Sequence, residues 1–240
     1  MKSVIVVPIY KSNLSELERA NLTQMADVFE ARHDVFFVGP EAILYKEHIA
    51  IWPSALPKKM HNRHFKSIKS YNKLLLSSAF YQVFEQYDYL LICQLDVWVI
   101  KDELDSWAKK SYSYIGAPWL ELPPLTKKIN LLPMGKWMLN KVGNGGFSLR
   151  KVQDHLRIAK YFYWIPSQLL KNEDFYWGVV APKYFKFFRT PDIAVAAQFC
   201  IELNPELGMK LTNQELPFAL HAWEKHQPEF WRTYLTLPQI

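Results

Sequence analysis

Cysteine is nearly missing from this 240-residue chain: Cys93 and Cys200 are too few for a disulfide framework or a thiolate zinc cluster. Glycine is also scarce, eight residues against fifteen prolines, which argues against a flexible or low-complexity chain. No apolar run reaches spanning length, and the run at residues 4–9 is too short for a secretory signal, so a cytoplasmic protein is expected. A glycine-rich phosphate loop of the dinucleotide or P-loop type does not occur. Neither an internal repeat nor a linker is visible, so one domain over residues 1–240 is expected, with ample sequence for a core.

What is present is aromatic and basic. Nine Trp, thirteen Tyr and fifteen Phe suggest stacking surfaces as well as packing, and a formal net charge of +6 favours anionic partners. Nucleotide phosphates, an acidic membrane surface and nucleic acid are all open on charge alone.

Residues 4–9 form a continuous β-branched run, as in a strand covered on both faces. Asn13 and Glu16 have N-cap and box spacing. Leu14, Leu17, Leu22, Met25, Val28 and Phe29 then trace an apolar helical stripe. Residues 34–40 read as a second strand, and a β-α-β opening implies a right-handed crossover between parallel strands. Residues 48–52 read as a short third strand. The basic stretch 57–69 reads either as a solvated loop and helix start or as a phosphate contact. A helix over 70–87 feeds a buried strand, Tyr87-Asp88-Tyr89-Leu90-Leu91-Ile92-Cys93, which runs into Gln94-Leu95-Asp96. A short helix at 102–109, a strand at 112–119 and a long loop at 120–142 follow. Gly143, Gly145 and Gly146 then precede a strand; they suggest positive φ or backbone close to a ligand. Helices are expected over 152–163, 168–177 and 193–200, with short elements and an aromatic tail beyond.

Four features could carry chemistry. Asp96 ends a buried strand, where a bare charge is too costly and ligands of open α/β sheets gather; it could also cap the next turn. The glycine cluster could be a plain tight turn. Glu173 and Asp174 could be solvated helix residues, and His221 a structural histidine. Trp119, Trp177 and Trp223 could stack on sugar faces or belong to the core.

In order, a strand-end acid, a glycine turn, Asn172-Glu173-Asp174 and a late histidine, this sequence resembles the GT-A glycosyltransferases. It is similar also to an uncharacterised, largely bacterial domain family of GT-A-like proteins. That likeness rests on Tyr-Asp-Tyr-Leu-Leu-Ile-Cys-Gln-Leu-Asp, Tyr-Ile-Gly-Ala-Pro-Trp, Gly-Asn-Gly-Gly-Phe-Ser-Leu-Arg, Asn-Glu-Asp and His-Ala-Trp, between residues 87 and about 231. The resemblance implies a single Rossmann-like α/β domain with a mixed, mostly parallel sheet flanked by helices. Residues 1–100 would be its nucleotide-binding half, and 101–240 its acceptor-binding half with a C-terminal tail.

The implied activity is hexosyltransferase-like transfer from a nucleotide-sugar donor to a hydroxyl of a saccharide or lipid-linked saccharide, as in polysaccharide biosynthesis. Asp174, with Glu173 second, would be the base of an inverting displacement. Asp96 and His221 would hold a divalent cation, Mn²⁺ or Mg²⁺, and Gln94, Asp96, Gly145 and Gly146 would face the donor. Pro8 and Tyr10 lie where such proteins hold the nucleotide base. Gln94 departs from the first acid of Asp-x-Asp; an amide brings no charge to a hard cation, so cationic side chains are the alternative for neutralising the diphosphate. The same departure leaves a second reading, a non-catalytic nucleotide- or carbohydrate-binding module. Peripheral membrane contact is open. Nucleic-acid binding is not expected, because the cations form no single helix face and no recognition motif is present.

Overall fold

A computed structural model describes residues 1–30, 32–121, 137–162 and 172–239. Most of the 120–142 loop and the start of the helix expected at 168–177 lie outside them.

The scaffold is a six-stranded sheet in the order β3-β2-β1-β4-β7-β6. β1 (Ser3–Pro8), β2 (Asp34–Pro40), β3 (Leu56–Met60) and β4 (Tyr89–Cys93) are parallel; β7 (Phe147–Lys151) pairs antiparallel with both β4 and β6 (Tyr114–Ile115). Side chains of β1 alternate between two cores, Ile5 and Val7 into one, Val4 and Val6 into the other. Burial on both faces is why this strand reads as an unbroken apolar run. The first core holds α1 (Glu16–Phe29) through Leu22, Met25 and Phe29; the second holds α3 (Ile68–Leu75) and α4 (Ser78–Gln82).

A second, three-stranded sheet in the order β5-β9-β8 joins β5 (Val97–Val99), β8 (Cys200–Ile201) and β9 (Ala219–His221). Its register sets Val97 opposite His221. A histidine 125 positions beyond Asp96 is thereby brought beside it.

Several local expectations are corrected. The N-cap of α1 is Ser15, not Asn13; its hydroxyl accepts from the Glu18 N–H while the Glu18 carboxylate accepts from the Ser15 N–H. Residues 48–52 are not a strand: they belong largely to α2 (Lys46–Ile51), whose region buries Tyr45, His48 and Trp52 at helical spacing. The third strand is instead β3, inside the basic stretch, with Pro57, Lys58 and Lys59 on the free edge of the sheet. Edge strands tolerate proline and favour lysine, which block pairing with other chains. The long helix expected over 70–87 breaks after Leu75. The Leu75 carbonyl accepts from Tyr81 Oη (2.8 Å) and Trp177 Nε1 (3.3 Å), while Ser77 caps α4.

α5 (Leu104–Lys109) and α6 (Val152–Phe162) lie where expected. Near the candidate site, α7 (Glu173–Phe175) runs through a π-helical turn (Tyr176–Val180) into α8 (Ala181–Tyr184). α9 (Ile193–Phe199) leads into β8, and α10 (Pro205–Leu211) and α11 (Pro228–Arg232) complete the C-terminal part. Trp119, Trp177 and Trp223 are core residues at no more than 1% exposure, so none presents a stacking face.

Candidate active site

At the carboxyl ends of β1 and β4 lies a cavity of about 560 Å³. Among its lining residues are Tyr10, Gln94, Gly145, Gly146, Glu173, Asp174 and His221, seven of the nine candidates from the sequence. Pro8, buried at the end of β1, does not line it, and Asp96 stands behind His221.

Three tethers hold the turn after β4. The Gln94 N–H donates to the Gly146 carbonyl (2.8 Å), the Ala222 N–H donates to the Asp96 carbonyl (2.9 Å), and the buried Asn21 amide donates to the Leu95 carbonyl (2.9 Å). Asn21 in turn accepts from Trp223 Nε1 (3.3 Å), so the His-Ala-Trp segment and α1 fix the same turn.

The glycine loop takes its shape from close approach rather than from glycine at positive φ. Among the described residues no glycine has positive φ; Asn144, at φ 54°, makes the left-handed bend. Its Oδ1 accepts from Trp119 Nε1 (2.8 Å). A methyl group at Gly145 would stand 2.1 Å from Glu173 Oε1, and one at Gly146 would stand 2.2 Å from His221 Nε2 and 2.9 Å from Gln94 Oε1. The loop therefore passes directly between the two charged groups of the site. Gly178, in the π-helical turn, meets Val142 with the same intimacy, and π-bulges recur at functional sites.

Arg150, fully buried on β7, is the anchor. Its Nη1 and Nη2 donate to Glu173 Oε2 and Oε1, both at 2.9 Å, while Nη1 also reaches Tyr81 Oη (3.1 Å) and Nε reaches Ser148 Oγ (3.0 Å). Both oxygens of Glu173 are thus engaged at 4% exposure. Beside it, Asp174 lines the cavity with Oδ1 accepting only its neighbour's N–H, from Phe175 (2.8 Å), among the described residues. Burial, and then the charge of Glu173, push the Asp174 carboxyl up to about 7.

On the opposite wall His221 stands between two carboxylates, Nδ1 at 2.9 Å from Glu202 and Nε2 at 3.3 Å from Asp96 Oδ1; Asp96 Oδ2 accepts from Lys225 (3.0 Å). Burial would lower the imidazole, but Glu202 and Asp96 outweigh it and raise it well above its ordinary value. Burial would raise Asp96, but the His221 ring and the Lys225 ammonium hold it far below the carboxylate range.

Asp96 and His221 offer an oxygen and a nitrogen donor of the kind a divalent cation takes, with the cation replacing the proton that the two carboxylates hold on His221. Asp96 Oδ1 is buried without an aligned hydrogen bond, and a carboxylate on Nδ1 orients His221 Nε2 as second-shell carboxylates do in metal sites. Among the described residues no three His, Cys, Asp or Glu side chains are placed as a complete ligand set, so the remaining ligands would come from substrate and water.

Also lining the cavity, Tyr10 packs edge-on against Tyr71 (5.4 Å) and Phe65 (6.2 Å) and is 44% exposed. Sequence reasoning missed Tyr71 and Phe65, and also Glu202 and Arg150. A charged residue two positions after Ser148 on an apolar strand was the available signal for Arg150; Glu202 had none.

Residues 57–221 match the family described as protein of unknown function (DUF5672). The chain belongs to that family. No curated protein matches it by sequence. Among solved structures, it is similar to mouse xyloside xylosyltransferase 1 in its apo form, at 12% identity over 92% of this chain and 96% of that one (TM-score 0.58). It is similar to the WbbM bifunctional glycosyltransferase at 10% identity over 95% of this chain and 46% of that one (TM-score 0.55). A glycosyltransferase involved in glycosylation of the major capsid of PBCV-1 matches at 10% identity over 92% and 93% (TM-score 0.51). At such identities the likeness is one of fold: this member of the family has the α/β architecture of GT-A glycosyltransferases, a mixed central sheet flanked by helices.

Proposed function

We propose that the cavity transfers a sugar from a nucleotide-sugar donor to a hydroxyl of a saccharide or lipid-linked saccharide, with inversion. The observation that carries this reading is the convergence on one cavity of four segments remote in sequence: the Gln94 turn, the glycine loop, Asp174 on its Glu173–Arg150 anchor, and His221. In this reading the acceptor hydroxyl attacks the anomeric carbon, the bond to the diphosphate oxygen breaks, and Asp174 takes the hydroxyl proton. A base with a pKa near 7 is about half ionised at neutral pH and still basic enough to assist, which typically contributes about 10²–10⁴-fold. Glu173 does not share that role, because Arg150 occupies both its oxygens; its charge instead helps to raise Asp174.

The leaving diphosphate develops charge that must be met by cations. Asp96 and His221, with Gln94 as a neutral oxygen donor, are the residues that would hold Mn²⁺ or Mg²⁺, whose chemistry would be to neutralise that charge. Tyr10, Tyr71 and Phe65 offer an aromatic wall for the nucleotide base.

A thermal-shift screen of nucleotide sugars with and without Mn²⁺ tests the reading. A ligand of the folded state at 100 times its Kd stabilises by about 2.7 kcal/mol. At least one donor should raise the midpoint, more so with Mn²⁺; no shift with any nucleoside diphosphate sugar would overturn the proposal.

A further inference from the structure

We propose that the segment from β3 through α3 docks the protein on an anionic lipid bilayer, with the cavity mouth at the docked face. This segment carries charge of one sign. From His48 to Phe84 there is no Asp or Glu, against Lys58, Lys59, Arg63, Lys66, Lys69 and Lys73. All six of these cations are exposed, and none forms an ion pair among the described residues.

Protection of a free sheet edge accounts for Lys58 and Lys59 on β3. It does not account for Lys69 and Lys73, four apart on the side of α3 away from buried Tyr71, Leu74 and Leu75, nor for Lys66, which directly precedes the N-cap Ser67. Between Lys66 and Lys69 stands Ile68, 81% exposed; Leu56, on β3, is 57% exposed. Aliphatic groups standing clear among lysines are the composition that inserts between anionic headgroups. Nucleic acid fits less well, since single strands are held by exposed aromatic faces and both of these groups are aliphatic.

The segment is also a wall of the cavity, through Phe65, Ser67 and Ile68. A bilayer held by α3 would therefore lie at the entrance, where a lipid-carried acceptor could reach the base. That last step rests on the glycosyl-transfer reading; the docking itself does not.

Co-sedimentation of the full chain with phosphatidylcholine vesicles, with and without phosphatidylglycerol, tests the docking in the absence of any donor. The protein should pellet with anionic vesicles, less so as salt rises, and not with phosphatidylcholine alone. Each lysine near such a surface contributes about fivefold, so Lys66→Gln, Lys69→Gln and Lys73→Gln together should weaken partitioning on the order of a hundredfold. The thermal midpoint and any donor-induced shift of that variant should match the parent. Ile68→Ser should weaken binding severalfold without changing its salt slope. Absence of pelleting, equal pelleting of the triple variant, or displacement from vesicles by single-stranded RNA would each overturn the proposal. Vesicle binding without any nucleotide-sugar shift would uphold the docking and reject the glycosyl-transfer reading.

Discussion

Asp174 shows how a single carboxylate is set apart from its neighbour. Glu173 is fixed by a bidentate arginine, and its charge, added to burial, raises Asp174 to about 7. Transfer should therefore fall about tenfold per pH unit below 7, and Asp174→Asn should abolish that limb of the profile. Stability should move the other way. The folded state binds this proton more tightly than the unfolded state, whose carboxyl titrates near 3.9, so the contribution of Asp174 is lost as pH rises from about 4 to 7. Asp174→Asn should then be more stable than the parent at pH 8, on the order of 1 kcal/mol in urea unfolding, while losing activity.

Gly146 gives a second test at this scale. Its backbone is not in the left-handed region, so alanine is sterically blocked without being strained in φ: the new methyl would strike His221 Nε2. Gly146→Ala should leave folding cooperative but weaken Mn²⁺-dependent donor binding about 10–100-fold, read by titration calorimetry. The glycine cluster was legible in the sequence as a place of close approach. What was not legible is that the partner is the protein's own Glu173 and His221, and that Asn144 takes the bend.

Among the elements, β7 and α7 are joined by the buried Arg150–Glu173 pair. Removing one partner leaves an uncompensated charge, at about 3–5 kcal/mol, whereas replacing both by apolar residues of similar size is often neutral. Glu173→Gln and Arg150→Met should each lower stability by roughly that amount. The double variant Arg150→Met with Glu173→Met should recover most of the loss in denaturant unfolding, yet transfer poorly because Asp174 has lost the neighbouring charge that raises it. Strands β1, β2 and β4 could be read from their apolar runs because both faces are covered. The exchange of β3 for α2 could not: the apolar residues around 48–52 sit at helical spacing, and β3 hides its edge position in Pro57 and two lysines. Nor could the break after Leu75, since the groups that take its carbonyl include Trp177, a hundred residues away.

For the whole molecule, the opening β-α-β and the strand-end carboxylate pointed to an open α/β sheet with ligands at the carboxyl ends of its strands, and the cavity lies there. The second sheet escaped sequence reading because β5, β8 and β9 are two or three residues each. Yet its register is what sets His221 beside Asp96 and brings Glu202 to the ring's Nδ1.

The most direct measurement of the central claim is release of nucleoside diphosphate from a panel of sugar nucleotides, water serving as acceptor, by the parent chain and by Asp174→Asn. The account predicts slow release from at least one donor, reduced by a hundredfold or more in the variant while donor-induced thermal stabilisation persists. No release from any donor, or equal release by both proteins, would contradict it.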